Sequence, residues 1–185
     1  MTIKEKKTFE RKIFKDLMEK SSPLDRRNVE INVKLYVESF FNRGVKNKYI
    51  AIYWPLKNEV DIRGLKDKYS LALPRCGKNK ELLLCSWDDK QLTKDSEGIP
   101  SPDSSFKLSY KKICMILIPC LAVDINLTRL GYGGGYFDRL RGDKNWRAIP
   151  CIGVLTSNCV SNYSLTKADW DIPLSGFITE KEILV

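Results

Sequence analysis

YIAIYWPLKNEVDIRGLKDKYSLALP, residues 49–74, decides the fold. YIAIYW (49–54) is an apolar, β-branched and aromatic run, the pattern of a strand covered on both faces. A short helix is expected over about 59–68, and SLALP (70–74) reads as a second strand. Strand, helix and strand within so short a span imply a parallel pair joined by a right-handed crossover, hence an α/β sheet.

Working outward, further strand-like runs lie at ELLLCSW (81–87), KICMILIP (112–119) and AIPCIGVL (148–155), with a short one at 176–179. Residues 88–108 are polar, contain GIPSPD (98–103) and read as a loop. Towards the N-terminus, Phe9, Ile13, Phe14, Leu17 and Met18 recur at helical spacing and predict an amphipathic helix over about 3–19. Ser22-Pro23 supplies an N-cap and a first-turn proline, Asp25 an acidic third residue, and Gly44 a stop for a second helix carrying Val29, Val33, Tyr36, Val37 and Phe40. The expected fold is α/β: a single three-layer domain over residues 1–185, with a mostly parallel sheet and an N-terminal two-helix layer.

The longest apolar run, ICMILIPCLAV (113–123), is shorter than the ~20 residues of a membrane span. The charged start MTIKEKKTFERK does not read as a secretory signal, so a cytoplasmic location is expected. Six scattered cysteines form no CxxC pair, which argues against zinc; Cys85, Cys114, Cys120 and Cys151 sit among apolar neighbours and read as small core residues. The chain has no histidine. That excludes Ser-His-Asp and Cys-His chemistry and leaves carboxylates, Lys, Arg, backbone amides or a metal for catalysis. Net charge is +9, and residues 1–48 hold 13 basic and 7 acidic groups. Such a face suits an anionic partner or is simply a solvated helical surface.

RLGYGGGYFDRL (129–140) carries the clearest chemical signal. Glycine admits positive φ and lets a ligand touch the backbone. Successive N–H groups leading into the short helix that Gly135–Leu140 would open can cradle an anion, and Arg129 adds a planar cation. The spacing matches neither GxGxxG nor GxxxxGK[ST], so on spacing alone a tight turn and a phosphate loop remain open. Lys7 and Arg11, four apart, lie at the edge of the first helix's apolar stripe, where their stems can pack and their heads reach across a groove.

PCLAVDINLTRLGYGGGYFDRL (119–140) resembles the signature of the 5-formyltetrahydrofolate cyclo-ligase (methenyltetrahydrofolate synthetase) family, and other segments agree in order and spacing. They are Lys7-Thr-Phe-Glu-Arg11, Tyr53-Trp54-Pro55 with Glu59 and Asp61, LALPR (71–75), GIPSPD, and DWDIPL (169–174) with Ile178-Thr179-Glu180. Three positions depart from the pattern. Leu127 stands for a glycine and would need a different turn, Phe137 for a tyrosine, and Glu10 for an apolar residue.

The resemblance implies ATP-dependent closure of 5-formyltetrahydrofolate, with or without a polyglutamate tail, to 5,10-methenyltetrahydrofolate. It implies Lys7, Arg11, Arg129, Gly131, Tyr132, Gly133, Gly134, Gly135, Tyr136 and Phe137 around ATP, with Arg129 and Tyr136 catalytic. Trp54, Glu59, Tyr132, Gly133, Gly134, Gly135 and Tyr136 would meet the folate, and Asp138 and Asp171 would hold Mg²⁺. Taken without the resemblance, Asp138 would pair with Arg139 or Arg141, and Asp171 with Lys167. A monomer is expected. Two rivals are a degenerate, basic nucleic-acid binder, against which stands the lack of an RNP-like stretch or helix-turn-helix signature, and another phosphate-substrate enzyme on a related scaffold.

Overall fold

The computed structural model describes residues 1–88 and 91–185; residues 89 and 90 of the expected 88–108 loop lie outside the described residues. Two long helices come first, α1 (Ile3–Glu19) and α2 (Pro23–Phe41). Each opens on a reciprocal capping box, Thr2 with Glu5 and Ser22 with Asp25, and Pro23 adds its fixed φ at the first turn of α2. Strands β1 (Tyr49–Ala51), β2 (Leu71–Cys76) and β3 (Leu82–Trp87) follow. Then come β4 (Thr93–Lys94), β5 (Pro100–Ser101), β6 (Ile113–Pro119), β7 (Ala122–Val123) and β8 (Arg129–Leu130). Helices α3 (Tyr136–Gly142) and α4 (Lys144–Arg147) lead to β9 (Cys151–Val154), β10 (Gly176–Ile178) and β11 (Ile183–Leu184).

Seven strands form the main sheet in the order β11-β10-β9-β6-β1-β2-β3. The four inner pairings are parallel, and antiparallel pairs occur only at the edges, β2 with β3 and β10 with β11. Met115, Ile116, Leu117 and Ile118 of the central β6 are all at most 1% exposed, as expected for a parallel strand covered on both faces. Alternation along the strands sorts two cores. Ala51, Ala72, Ile116 and Ile118 pack with Phe14 and Met18 of α1. Ile50, Ile52, Leu71, Leu73, Met115 and Leu117 pack with Val29, Val33 and Val37 of α2. Three layers result because the two N-terminal helices divide between the faces, one on each, rather than lying side by side.

Several elements differ from the sequence expectation. Only Tyr49–Ala51 of YIAIYW join the ladder; Ile52 still donates to Ala72 O (2.9 Å), and the chain then leaves the sheet. The helix expected at 59–68 is one 3₁₀ turn, Arg63–Asp67. The 88–108 loop contains the β4–β5 hairpin, which lacks the apolar alternation that marks a strand in sequence. The β7–β8 hairpin, α4 and the edge strand β11 were also not expected.

The order of strands places a site. From β1 the chain builds outward through β2 and β3; from β6, on the other side of β1, it builds outward through β9 and β10. The reversal falls between β1 and β6, and in such sheets the crevice at the carboxyl ends of the strands beside the reversal receives ligands.

Candidate active site

A cavity of about 900 Å³ opens there. Tyr53 and Trp54 enter it just beyond β1, Pro74 and Cys76 from the end of β2, and Pro119 from the end of β6. Lys7 and Arg11 reach in from α1, Glu59 from the turn after β1, Arg129 and Gly131–Asp138 from the glycine loop, and Asp171 from the segment before β10. Every residue expected at the site thus lines this one cavity, although the residues come from segments far apart in the chain.

The glycine loop answers the question its composition raises. Its carbonyls are used by arginines: Arg11 Nε donates to Gly131 O (2.8 Å), and Arg139 Nη2 donates to Gly134 O. Among the described residues, the backbone N–H groups of Gly131–Gly135 donate no hydrogen bond, which leaves them for a bound anion. At Gly131 a Cβ would lie 2.8 Å from Arg129 Nη1, so a side chain there would displace that guanidinium. Gly133 sits at φ +104°, where other residues are strained.

Two part-buried ion pairs face the cavity. Lys7 Nζ pairs with Asp171 Oδ2, and Arg129 Nη2 donates to Asp138 Oδ1 (3.1 Å) and Oδ2 (3.3 Å). Asp138 therefore pairs with Arg129 and not with Arg139 or Arg141, and Asp171 with Lys7 and not with Lys167. Phe137 lies beneath Arg129, with the guanidinium carbon 5.8 Å from the ring centroid, a contact that needs no hydroxyl.

Glu59 is 9% exposed. Its Oε2 accepts from Leu56 N (2.7 Å), while Oε1 is buried without a hydrogen-bond partner among the described residues. Burial raises its pKa, against the pull of the Leu56 N–H and the neighbouring Tyr132 hydroxyl. Tyr53 Oη holds the same turn by donating to Val60 O (2.7 Å). A carboxylate held at one oxygen and bare at the other is a hydrogen-bond acceptor waiting for a donor. Trp54 lies under the Arg63 guanidinium at 4.4 Å and meets Trp87 edge-on at 6.2 Å. Asp61 holds Arg63 there (2.6 Å), so it supports Trp54 and does not face the cavity itself.

The three departures have physical accounts. Leu127 makes its turn at φ +59°, in the left-handed region, so the chain accepts strain where a different turn was expected. Glu10 is buried, and its Oε1 accepts from Thr166 N (3.0 Å) and Thr166 Oγ1 (2.8 Å); it ties α1 to the 161–168 segment in place of an apolar contact. Lys7 and Arg11 keep their expected positions.

Sequence reasoning missed Glu97, Arg75 and Arg141. Tyr136 donates to Glu97 Oε1, a bond that raises the tyrosine to about 12. Glu97 sits in the β4–β5 turn. Asp95 folds that turn by accepting from Glu97 N (2.9 Å) and Ile99 N (3.0 Å), and Arg75 ties the hairpin to β2 through Thr93, Ser101 and Pro102. Arg141, 4% exposed, donates to Ile172 O (2.9 Å) and Pro173 O (2.7 Å), joining the helix that carries Asp138 to the segment that carries Asp171. No local signal distinguishes these residues; their partners are 18 to 39 positions away.

All six cysteines are free, and burial raises Cys76 at the cavity wall to about 12, which removes it as a nucleophile. No group of three or more His, Cys, Asp or Glu side chains that could hold a metal occurs among the described residues. No helix among them is long and apolar enough to cross a membrane.

Comparison with known proteins identifies the family and the fold. The sequence model of the 5-formyltetrahydrofolate cyclo-ligase family matches residues 3–180. A 5-formyltetrahydrofolate cyclo-ligase of Haemophilus influenzae is 28% identical over 138 residues, covering 69% of this chain and 73% of the relative. The NMR structure of Aquifex aeolicus 5,10-methenyltetrahydrofolate synthetase superposes with a TM-score of 0.76 at 27% identity, over 96% of this chain and 91% of that one. A 5,10-methenyltetrahydrofolate synthetase from Mycoplasma pneumoniae shares the fold, with a TM-score of 0.67 at 24% identity over 94% and 98% of the two chains.

Proposed function

The chain belongs to the 5-formyltetrahydrofolate cyclo-ligase family, and from that premise we propose how its cavity converts 5-formyltetrahydrofolate and ATP to 5,10-methenyltetrahydrofolate, ADP and phosphate. The observation that carries the reading is the convergence of Lys7, Arg11, Glu59, Arg129, the glycine loop, Asp138 and Asp171 on one cavity at the strand-order reversal.

An N-formyl oxygen is a poor leaving group. In the proposed reaction it attacks the γ-phosphorus, the bond to the β-phosphate oxygen breaks, and ADP leaves. The formyl carbon is then electrophilic; N10 of the substrate attacks it, phosphate departs with its oxygen, and N10 loses its proton to solvent. The nucleophiles belong to the substrates, which suits a site without histidine or an ionisable thiol. The protein's task is to align phosphorus with oxygen and to stabilise the charge that develops.

Lys7 and Arg11 hold the nucleotide phosphates from α1. Arg129 and the unpaired amides of Gly131–Gly135 hold the phosphoryl group as it moves. Tyr132, Tyr136 and Phe137 wall the space between nucleotide and folate, and the bare Glu59 oxygen accepts from the amino-amide edge of the pterin, with Trp54 alongside. Magnesium fits two carboxylates with phosphate oxygens and water making up its six sites. Asp138 and Asp171 would hold it, and it would offset phosphate charge. A cytoplasmic location suits these substrates.

The test is direct: folded protein with ATP, Mg²⁺ and 5-formyltetrahydrofolate should generate methenyl absorbance in the near ultraviolet, dependent on each component. Absence of that absorbance with all three present would remove the reading.

A further inference from the structure

Tyr136 is held by three contacts, and one comes from a residue outside every segment that carries the family resemblance. Its ring lies against the backbone at Gly134, where a Cβ would stand 2.8 Å from Cδ2 and 3.0 Å from Cε2. The Arg139 guanidinium carbon is 5.7 Å from the ring centroid, and that arginine is itself fixed by donating to Gly134 O and to Lys80 O (3.2 Å). The hydroxyl donates to Glu97 Oε1, on the residue just before GIPSPD. We propose that Glu97 is a positioning residue for the folate half of the reaction: it accepts the one hydrogen bond the phenol can give, fixes the ring at the cavity wall, and leaves the phenol oxygen to accept from a substrate N–H. The inference rests on the folate reading above and adds to it a side chain and the direction of a hydrogen bond.

Glu97 suits the task because its own place is set without Tyr136. It stands in the turn between β4 and β5. Asp95 Oδ1 accepts from Glu97 N (2.9 Å) and Ile99 N (3.0 Å), while Asp95 Oδ2 accepts from Cys76 N (2.9 Å) at the end of β2. Ser96 Oγ donates to Cys76 O (2.9 Å). The turn is therefore pinned to β2 before Glu97 reaches across to α3. The carboxylate is the fixed partner and the phenol the guided one. Without that bond the ring is free to change rotamer about its two side-chain torsions.

The direction of the bond decides what Tyr136 can offer. A phenol has one proton to donate and lone pairs to accept with. Its bond to a carboxylate is charge-assisted and belongs to the stronger class. That bond is the main cause raising the phenol to about 12, so the proton stays on Tyr136 at neutral pH. With the proton committed, the oxygen meets a ligand only through its lone pairs. The reduced pterin and N10 carry N–H groups, whereas a phosphate oxygen finds no donor at this point. Tyr136 thus favours the folate side of the cavity, and phosphate is left to the cations and the loop amides. A ring fixed before the ligand arrives also spares the cost of ordering it on binding.

A double-mutant cycle with Tyr136→Phe, run on the whole chain, separates this role from a merely structural one. Glu97→Ala should raise KM for 5-formyltetrahydrofolate about fivefold or more and leave KM for ATP within about twofold. Its melting temperature should move by less than about 3 °C, because the turn keeps its bonds to β2. Glu97→Gln, whose amide oxygen still accepts from the phenol, should recover most of the loss. In the Tyr136→Phe background, Glu97→Ala should add less than about a further twofold. Tyrosine Cζ NMR of the ligand-free protein reads the bond without turnover: the resonance that Tyr136→Phe removes should shift in Glu97→Ala and return towards wild type in Glu97→Gln. Additive losses, equal rises in KM for both substrates, or an unmoved Cζ resonance would each overturn the positioning role. Folded wild-type protein whose Cζ resonance responds to Glu97 but which neither binds nor converts 5-formyltetrahydrofolate removes the folate reading, and the role with it.

Discussion

The two faces of the sheet are built for different ends. On the α2 face, Val29, Val33 and Val37 are fully buried and meet Ile50, Ile52, Leu71 and Leu73, a close contact of branched side chains. On the α1 face, β1 and β2 contribute the small Ala51 and Ala72 to the buried core, and the helix buries Glu10 beside Phe14 and Met18. Among the described residues, the buried polar atoms without partners, Glu10 Oε2, Glu59 Oε1 and Arg141 Nε, belong to α1, to the cavity wall and to α3, whose Phe137 and Leu140 pack against the α1-face core. Among the described residues none belongs to the α2 layer. One face is optimised for packing, and the other accepts unsatisfied polarity near a site, a common division where stability and activity compete.

If that division holds, substitutions on the two faces should separate activity from stability. The largest effect is expected at Arg129→Ala, which should lower kcat by about 10²- to 10³-fold and lower the melting temperature by a few degrees, because part-buried Asp138 loses its partner. Rates from methenyl absorbance and a thermal melt check both, and a melt collapsing in step with kcat would break the comparison. Next is Val33→Ala, expected to cost about 2 kcal/mol in denaturant titration and to leave kcat and KM unchanged.

Glu59→Gln should weaken folate binding yet stabilise the protein by about 1 kcal/mol near neutral pH, because an ionised buried oxygen without a partner is removed. The pH dependence has a definite sign. Burial holds the folded pKa of Glu59 above its unfolded value. Its charge therefore costs no stability below the unfolded pKa, and stability falls as pH rises towards the folded one. The glutamine variant should lack that fall in a stability–pH series. Smallest is Leu127→Gly. Relief of the left-handed strain, about 1 kcal/mol, should roughly offset the lost contact of a side chain packed on the α1-face core. The melt should move by a few degrees at most, with kcat unaffected.

Much of this was legible because it was local. Apolar runs marked every long strand of the main sheet, apolar periodicity marked the first helix, the Ser22-Pro23-Asp25 cap marked the second, and the glycine loop with Arg129 marked the site. The polar hairpin that presents Glu97 carried no alternation to reveal it, and the helical turn after β1 proved to be 3₁₀. Leu127 was noticed as a departure, but the cost it incurs became visible only as a positive φ.

Periodicity, caps and glycine spacing act over a turn or a strand, so the sequence by itself determined the two long helices, the main strands, the parallel core and the kinds of side chain available for phosphate chemistry. Which face each helix covers, and the pairings of Lys7 with Asp171, Arg129 with Asp138 and Tyr136 with Glu97, were decided only in the tertiary structure. Lys7 and Asp171 stand 164 positions apart. Nothing in the local chemistry of either names the other; they meet because the reversal of strand order brings the carboxyl ends of β1 and β6 together and gathers around them the segments that carry both residues.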